Sequence, residues 1–173
     1  HFKGILKPPV KNLKYPFIVP GTGYLTELWG WDAYWETLSL KRAFELFGDE
    51  EMARAGVSRQ TATEHIRGSI LDFLDAQEED GFIPIMVSAG GLFEGFFQNE
   101  HKNGTPLNQH LPFLCQFVLL ASEFFGGSDR FDVEKLIKYI RYFEEKQYDK
   151  NSGLFFWQDD IMVGIDNNPT VFY

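Results

Sequence analysis

The 173-residue chain holds a single cysteine, Cys115, so no disulfide can close within it. A reducing cytosol and a cysteine-poor secreted protein both fit that count, which leaves the compartment open with the cytoplasm slightly favoured. Phe113, Leu114, Phe117 and Val118 around Cys115 predict a buried thiol without catalytic use. Positive charge is also scarce. The net charge is −9 and no Lys/Arg-rich stripe occurs, which argues against a nucleic acid or an anionic membrane as partner and is compatible with a neutral one. No apolar run approaches the length of a membrane span. His101 and His110 lack further ligands at metal spacing and no Cys/His cluster exists, so no metal is expected. The GTG at Gly21 to Gly23 has no phosphate-loop lysine, and no cofactor is implied.

Apolar residues make up 44% of the chain and aromatics 17%, which excludes low-complexity disorder and predicts an aromatic-rich globular fold. The stretch from His1 to Glu27 is poor in helix signal, with Pro8, Pro9, Pro16 and Pro20, and reads as an ordered loop with a short strand at Phe17 to Val19. A first helix is predicted from Trp31 to Phe47, ended by Gly48; its apolar residues cover most of the circumference, so it should be buried nearly all round. Asp49 can cap a second helix that runs to about Glu79 with an interruption near Gly56, and Ala62, Ile66, Ile70, Phe73 and Leu74 form its single apolar stripe. A long connection through Asn108, with no helix of its own, follows DGFIP at Asp80 to Pro84. The third helix, Leu107 to about Phe125, is again apolar all round. The fourth, from a cap at Asp132 to about Gln147, should bury Val133, Leu136, Ile137, Ile140 and Phe143 on one side.

An apolar helix, then an amphipathic one, then a turn with an acidic or amide residue, a glycine and aromatics: this order occurs twice, with DGFIP closing the first copy and NSGLFF, from Asn151, the second. Alternation of this kind suits two layers of helical hairpins, the inner helices walled on both sides and the outer ones facing water. Only two hairpins are present, the chain opens at His1 without a methionine, and it stops at Tyr173 inside an apolar run. The expectation is that residues 1–173 form the N-terminal portion of a single larger domain.

The densest set of ligand-gripping groups is Pro20 to Trp35, PGTGYLTELWGWDAYW, with three of the four tryptophans at Trp29, Trp31 and Trp35. Aromatic rings flanking a carboxylate suit a sugar, whose C–H face stacks on the rings while its hydroxyls donate to the carboxylate. Aromatics at a helix start also serve as core, and Asp32 in a first turn also complements the helix dipole. Both readings fit these residues taken alone.

This segment resembles the first signature of trehalases and of their relatives, the processing α-glucosidases and the mannosylglycerate and glucosylglycerate hydrolases. GIDNNP, Gly164 to Pro169, resembles the segment that carries their general acid, and QHLPF, Gln109 to Phe113, is similar to the glutamine-proline segment opening one of their inner helices. The resemblance implies an all-α fold, part of an α/α toroid or six-hairpin barrel, and an inverting glycosidase acting on a small sugar or oligosaccharide. It implies Asp166 as general acid. Tyr24, Trp29, Trp31, Asp32, Gln109 and Asn167 would contact substrate, with Trp157, in the second aromatic turn, doing so in second place to core packing. Tyr24 and Thr170 stand where arginines occur in these families; losing two bidentate donors weighs against trehalose and points to another α-glucoside or an α-mannoside.

Inversion needs a protonated carboxyl and a carboxylate about 6.5 to 9.5 Å apart. Ile161, Met162, Val163 and Ile165 on one side of Asp166 and Pro169, Val171 and Phe172 on the other would raise its pKa, although Asp-Asn-Asn-Pro is also strong turn chemistry. Glu27, Glu94 and Glu100 sit in no matching motif, so the base, a glutamate, is expected in the second half of the toroid. The alternative is a non-catalytic helical toroid that binds a carbohydrate or peptide. A polysaccharide lyase would need a polyanionic substrate, which the acidic chain disfavours.

Overall fold

The structure, a computed structural model, describes residues 2–125 and 131–158. It is mostly helical. After a short helix α1 (Phe2–Ile5), β1 (Leu6–Lys7) pairs antiparallel with β2 (Phe17–Ile18), Leu6 opposite Ile18, which gives the expected short strand. β3 (Glu27–Trp29) leads directly into α2 (Gly30–Arg54), and α3 (Arg59–Asp75) follows. Next come β4 (Met86–Ser88), a 3-10 turn at Gly91–Phe93 and α4 (Phe96–Lys102). The second hairpin is α5 (Leu114–Phe124) and α6 (Val133–Lys146), closed by the ribbon β5 (Tyr148–Asp149) and β6 (Leu154–Phe155).

Gly48 breaks α2 at the expected place, with φ 74° and ψ 168°. The chain then makes a further helical stretch to Arg54 before Gly56 interrupts it. Ser58, whose hydroxyl accepts from the Thr61 N–H, caps α3. Asp49 does not cap; its carboxylate is held at 2.7 Å by Arg59. The Asp132 cap is present, its carboxylate accepting from the N–H groups of Glu134 and Lys135. Gly81 and Gly153, the glycines of the repeated turn, both take the left-handed conformation, at φ 98° and 72°, which other residues adopt at a cost.

The core lies where α2, α3 and α5 meet one another and β2. Leu40, Phe44, Ile66, Ile70, Phe73, Leu114 and Phe117 are all buried there. A smaller aromatic cluster gathers Phe82, Ile85, Met86, Phe97, Leu111 and Tyr142 below the start of α2.

Four expectations fail in instructive ways. The connection from residue 80 to 108 does contain a helix, α4, whose seven residues between glycines escape a periodicity test. α5 starts at Leu114 rather than Leu107, because Pro112 disfavours helix at the residue before it and the preceding segment pairs instead with residues 83–84. α2 and α5 are not buried all round: Trp35, Leu46, Phe47 and Leu119 are exposed. α6 is turned from the expected orientation. It buries Tyr139 and Tyr142 and packs Leu136 and Phe143 against the core as expected, while Val133, Ile137 and Ile140 are open to solvent. The Tyr139 hydroxyl donates to the Leu111 carbonyl at 2.6 Å, which lets a large ring go inward with its polar tip satisfied. No helix among the described residues is long and apolar enough to cross a membrane.

Candidate functional site

The Pro20 to Trp35 segment runs from a loop through β3 into the first turns of α2. Tyr24 sits in a turn closed by its N–H to the Gly21 carbonyl at 3.1 Å, and its ring is exposed. Glu27 folds its carboxylate back onto the N–H groups of Leu25 and Thr26, which fixes the turn rather than offering a charge to a ligand. β3 pairs with β4 so that Trp29 lies opposite Met86, and the Gly30 N–H donates to the Ile85 carbonyl. Trp29 is half-buried, and its indole Nε1 is enclosed without a hydrogen-bond partner. Trp31 packs against the smaller aromatic cluster, half-buried. Asp32 is half-buried in the first turn of α2.

One turn further along α2 stands Glu36, which the sequence reading passed over. Burial raises its pKa, with the Asp32 charge as second cause. The spacing i, i+4 on a helix puts two carboxyls on one face, and that spacing was the available signal.

The segment at Gln109 to Phe113 lies directly against the start of α2. The His110 N–H donates to the Ile83 carbonyl at 2.7 Å. Its ring presses on Gly30, where any Cβ would come within 2.5 Å of the imidazole, so only glycine fits there. Phe73 meets the same ring edge-on at 4.5 Å. His110 is fully buried, its Nδ1 faces the Leu111 carbonyl at 2.7 Å, and burial drives its pKa down to about 4, so it packs as a neutral ring. On the other side of this junction Phe113 stacks on Tyr34 at 5.1 Å and 18°.

Gln109 lies inside the packing between α6 and the 107–113 segment. It has no exposed surface, and its amide Nε2 donates to the Tyr139 carbonyl at 3.0 Å, tying α6 to the 107–113 segment. Trp35 is half in solvent rather than core, whereas Phe44 is buried as expected. Trp157 also departs from core packing. It is 45% exposed and walls a cleft of ≈ 350 Å³ together with Pro112, Ile140, Glu144, Phe155 and Phe156. Asp166 and Asn167 lie outside the described residues.

The other titratable candidates are accounted for by packing. His101 stacks on Phe82 at 4.0 Å and its Nε2 meets Asp80 at 2.9 Å. Cys115 is half-buried, and burial pushes its thiol pKa up. Among the described residues no group of His, Cys, Asp and Glu could hold a metal ion.

Comparison with protein-family models, with curated proteins and with solved structures gives no match for this chain.

Proposed function

We propose that this chain contributes the sugar-binding end of a glycoside hydrolase that cleaves an α-glucosidic or α-mannosidic bond with inversion, on an α/α toroid in which α2 and α5 are inner helices. One observation carries the reading: two of the stretches singled out by sequence, Pro20 to Trp35 and Gln109 to Phe113, meet at the start of α2, with the second aromatic turn beside them. Trp29 to Asp32 open α2, the 109–113 segment packs on them through His110 and Phe113, and Pro112 of that same segment walls the cleft that holds Trp157. Exposed rings beside carboxylates match what a pyranose requires, apolar faces for its C–H bonds and acceptors for its hydroxyls. In this reading Asp166 donates the proton to the leaving oxygen, Tyr24, Trp31, Asp32 and Trp157 grip the sugar, and a glutamate outside this chain activates water.

The test is hydrolysis of a panel of α-linked glucosides and mannosides, trehalose, glucosylglycerate and mannosylglycerate among them, by the protein that carries this chain. Proton NMR would follow the anomer first released. Asp166→Asn should lower kcat by about 10²–10⁴-fold, the usual contribution of a general acid. Absence of hydrolysis across the panel, a retained anomer or an unchanged rate for that variant would sink the reading. The open cleft beside Trp157 gives some support to a second reading, a helical module that binds a glycan without turnover. Binding of the panel sugars with no hydrolysis would favour it.

A further inference from the structure

A second device lies on α3, where residues 13–18 run across the helix as a strap. The strap is held by polar groups on one face of that helix. Ser69 Oγ accepts from the Ile18 N–H at 3.0 Å, and Asp72 Oδ1 accepts from the N–H groups of Lys14 at 2.8 Å and Tyr15 at 3.4 Å. Gly68 lies between them with the Pro16 carbonyl directly over it, so no side chain fits and the strap must sit flush. Only Oδ1 of Asp72 is used. The residue is 2% exposed and its Oδ2 is enclosed without a partner.

The groups around Asp72 offset a charge there only in part, through the Lys14 and Tyr15 N–H groups and the nearby Lys14 ammonium. From the strap, Lys14 turns its ammonium to Asp75 at 2.8 Å instead, and Tyr15 contributes its backbone N–H. On α3 and just past its end, Asp75 carries the same sign as an ionised Asp72, and Glu78 is paired with Lys102 of α4 at 3.2 Å. β4 brings Val87 and α4 brings Gln98, both uncharged, to the polar cavity of ≈ 350 Å³ that Asp72 also lines. An enclosed carboxylate with one bare oxygen is costly, and separating the strap from α3 would let water reach it.

We propose that Asp72 is a proton-dependent latch: neutral, it clamps the 13–18 strap on α3; ionised, it loosens the strap and with it the Gly21 to Tyr24 turn that the strap leads into. Burial pushes the Asp72 carboxyl up to about 7, against the pull of the Lys14 and Tyr15 N–H bonds, so the latch operates near neutral pH. The device does not depend on what the aromatic end binds.

Amide hydrogen exchange on the whole chain, corrected for intrinsic rates, tests it. Protection of the Lys14 and Tyr15 amides should fall by about tenfold or more between roughly pH 6 and 8, while that of Ile70 inside α3 stays level. Asp72→Asn keeps the acceptor oxygen and removes the charge, and should hold the strap protected across the range. The unaltered chain offers a check that needs no variant: carbon-13 NMR should show the Asp72 carboxyl titrating well above the ordinary carboxylate range. Level protection in the unaltered chain, the same fall in Asp72→Asn, or an ordinary Asp72 titration would each overturn the latch.

Discussion

The second helices of the two hairpins, α3 and α6, carry the same kind of apolar stripe and meet opposite fates. On α3 the stripe is covered by α2, α5 and β2, and Ile66, Ile70 and Phe73 have no exposed surface. On α6 the residues at the matching positions, Val133, Ile137 and Ile140, face solvent, while Tyr139 and Tyr142 go inward beside Leu136 and Phe143. Periodicity reports that a helix has an apolar side. Which side is buried depends on what the rest of the chain brings to it, and on α6 the Leu111 carbonyl satisfies the Tyr139 hydroxyl on the buried side.

Truncating a covered residue should have the largest effect. Phe73→Ala should destabilise the chain by about 3–5 kcal/mol, whereas Ile137→Ala should change it by under about 1 kcal/mol, both read from denaturant melts. Equal losses would erase the contrast between the helices. Next in size is Tyr139→Phe, which keeps the ring and removes its hydrogen bond to Leu111; a cost of about 1–2 kcal/mol is expected, against almost none for Tyr148→Phe on the exposed ribbon.

A third test uses α3 alone. Its buried Asp72 holds a proton in the folded chain that the unfolded chain has already released, because its pKa rises from 3.8 to about 7. The stabilisation from this group is therefore complete below about pH 4 and is lost as the pH climbs through about 7. Thermal melts of Asp72→Asn should match the unaltered chain near pH 4 and exceed it by roughly 2–6 °C at pH 8. An equal Tm at pH 8 would remove the charge penalty from α3. The smallest effect is expected on the open face: Ile140→Lys should leave the Tm within about 2 °C and reduce binding of an apolar dye.

The punctuation of the fold was legible because it is local. The break at Gly48, the interruption near Gly56, the Asp132 cap and the strand at Phe17 each follow from one or two residues acting on their own backbone. What escaped depends on distant partners. Gln109 is an amide suited to a sugar until α6 supplies the Tyr139 carbonyl that occupies it. His110 looks like a free imidazole until Gly30 and Phe73 enclose it. Trp35, on a helix expected to be buried all round, and Trp157, expected to pack in the core, both stand half in solvent. The pairing of Glu36 with Asp32 was readable from spacing, but its raised pKa comes first from burial, which spacing does not give.

The contact between Gly30 and His110 also bears on the order of assembly. Both residues bond to the 83–85 segment, Gly30 to Ile85 and His110 to Ile83, and the carbonyl of Leu111 then receives the Tyr139 hydroxyl. Four stretches far apart along the chain must be in place before this junction closes, and each closure costs loop entropy that local contacts do not. The hairpin of α2 and α3 can form early from neighbours in sequence. The aromatic end, pinned at Gly30, is then expected to be among the last parts to fold and the first to open under denaturant.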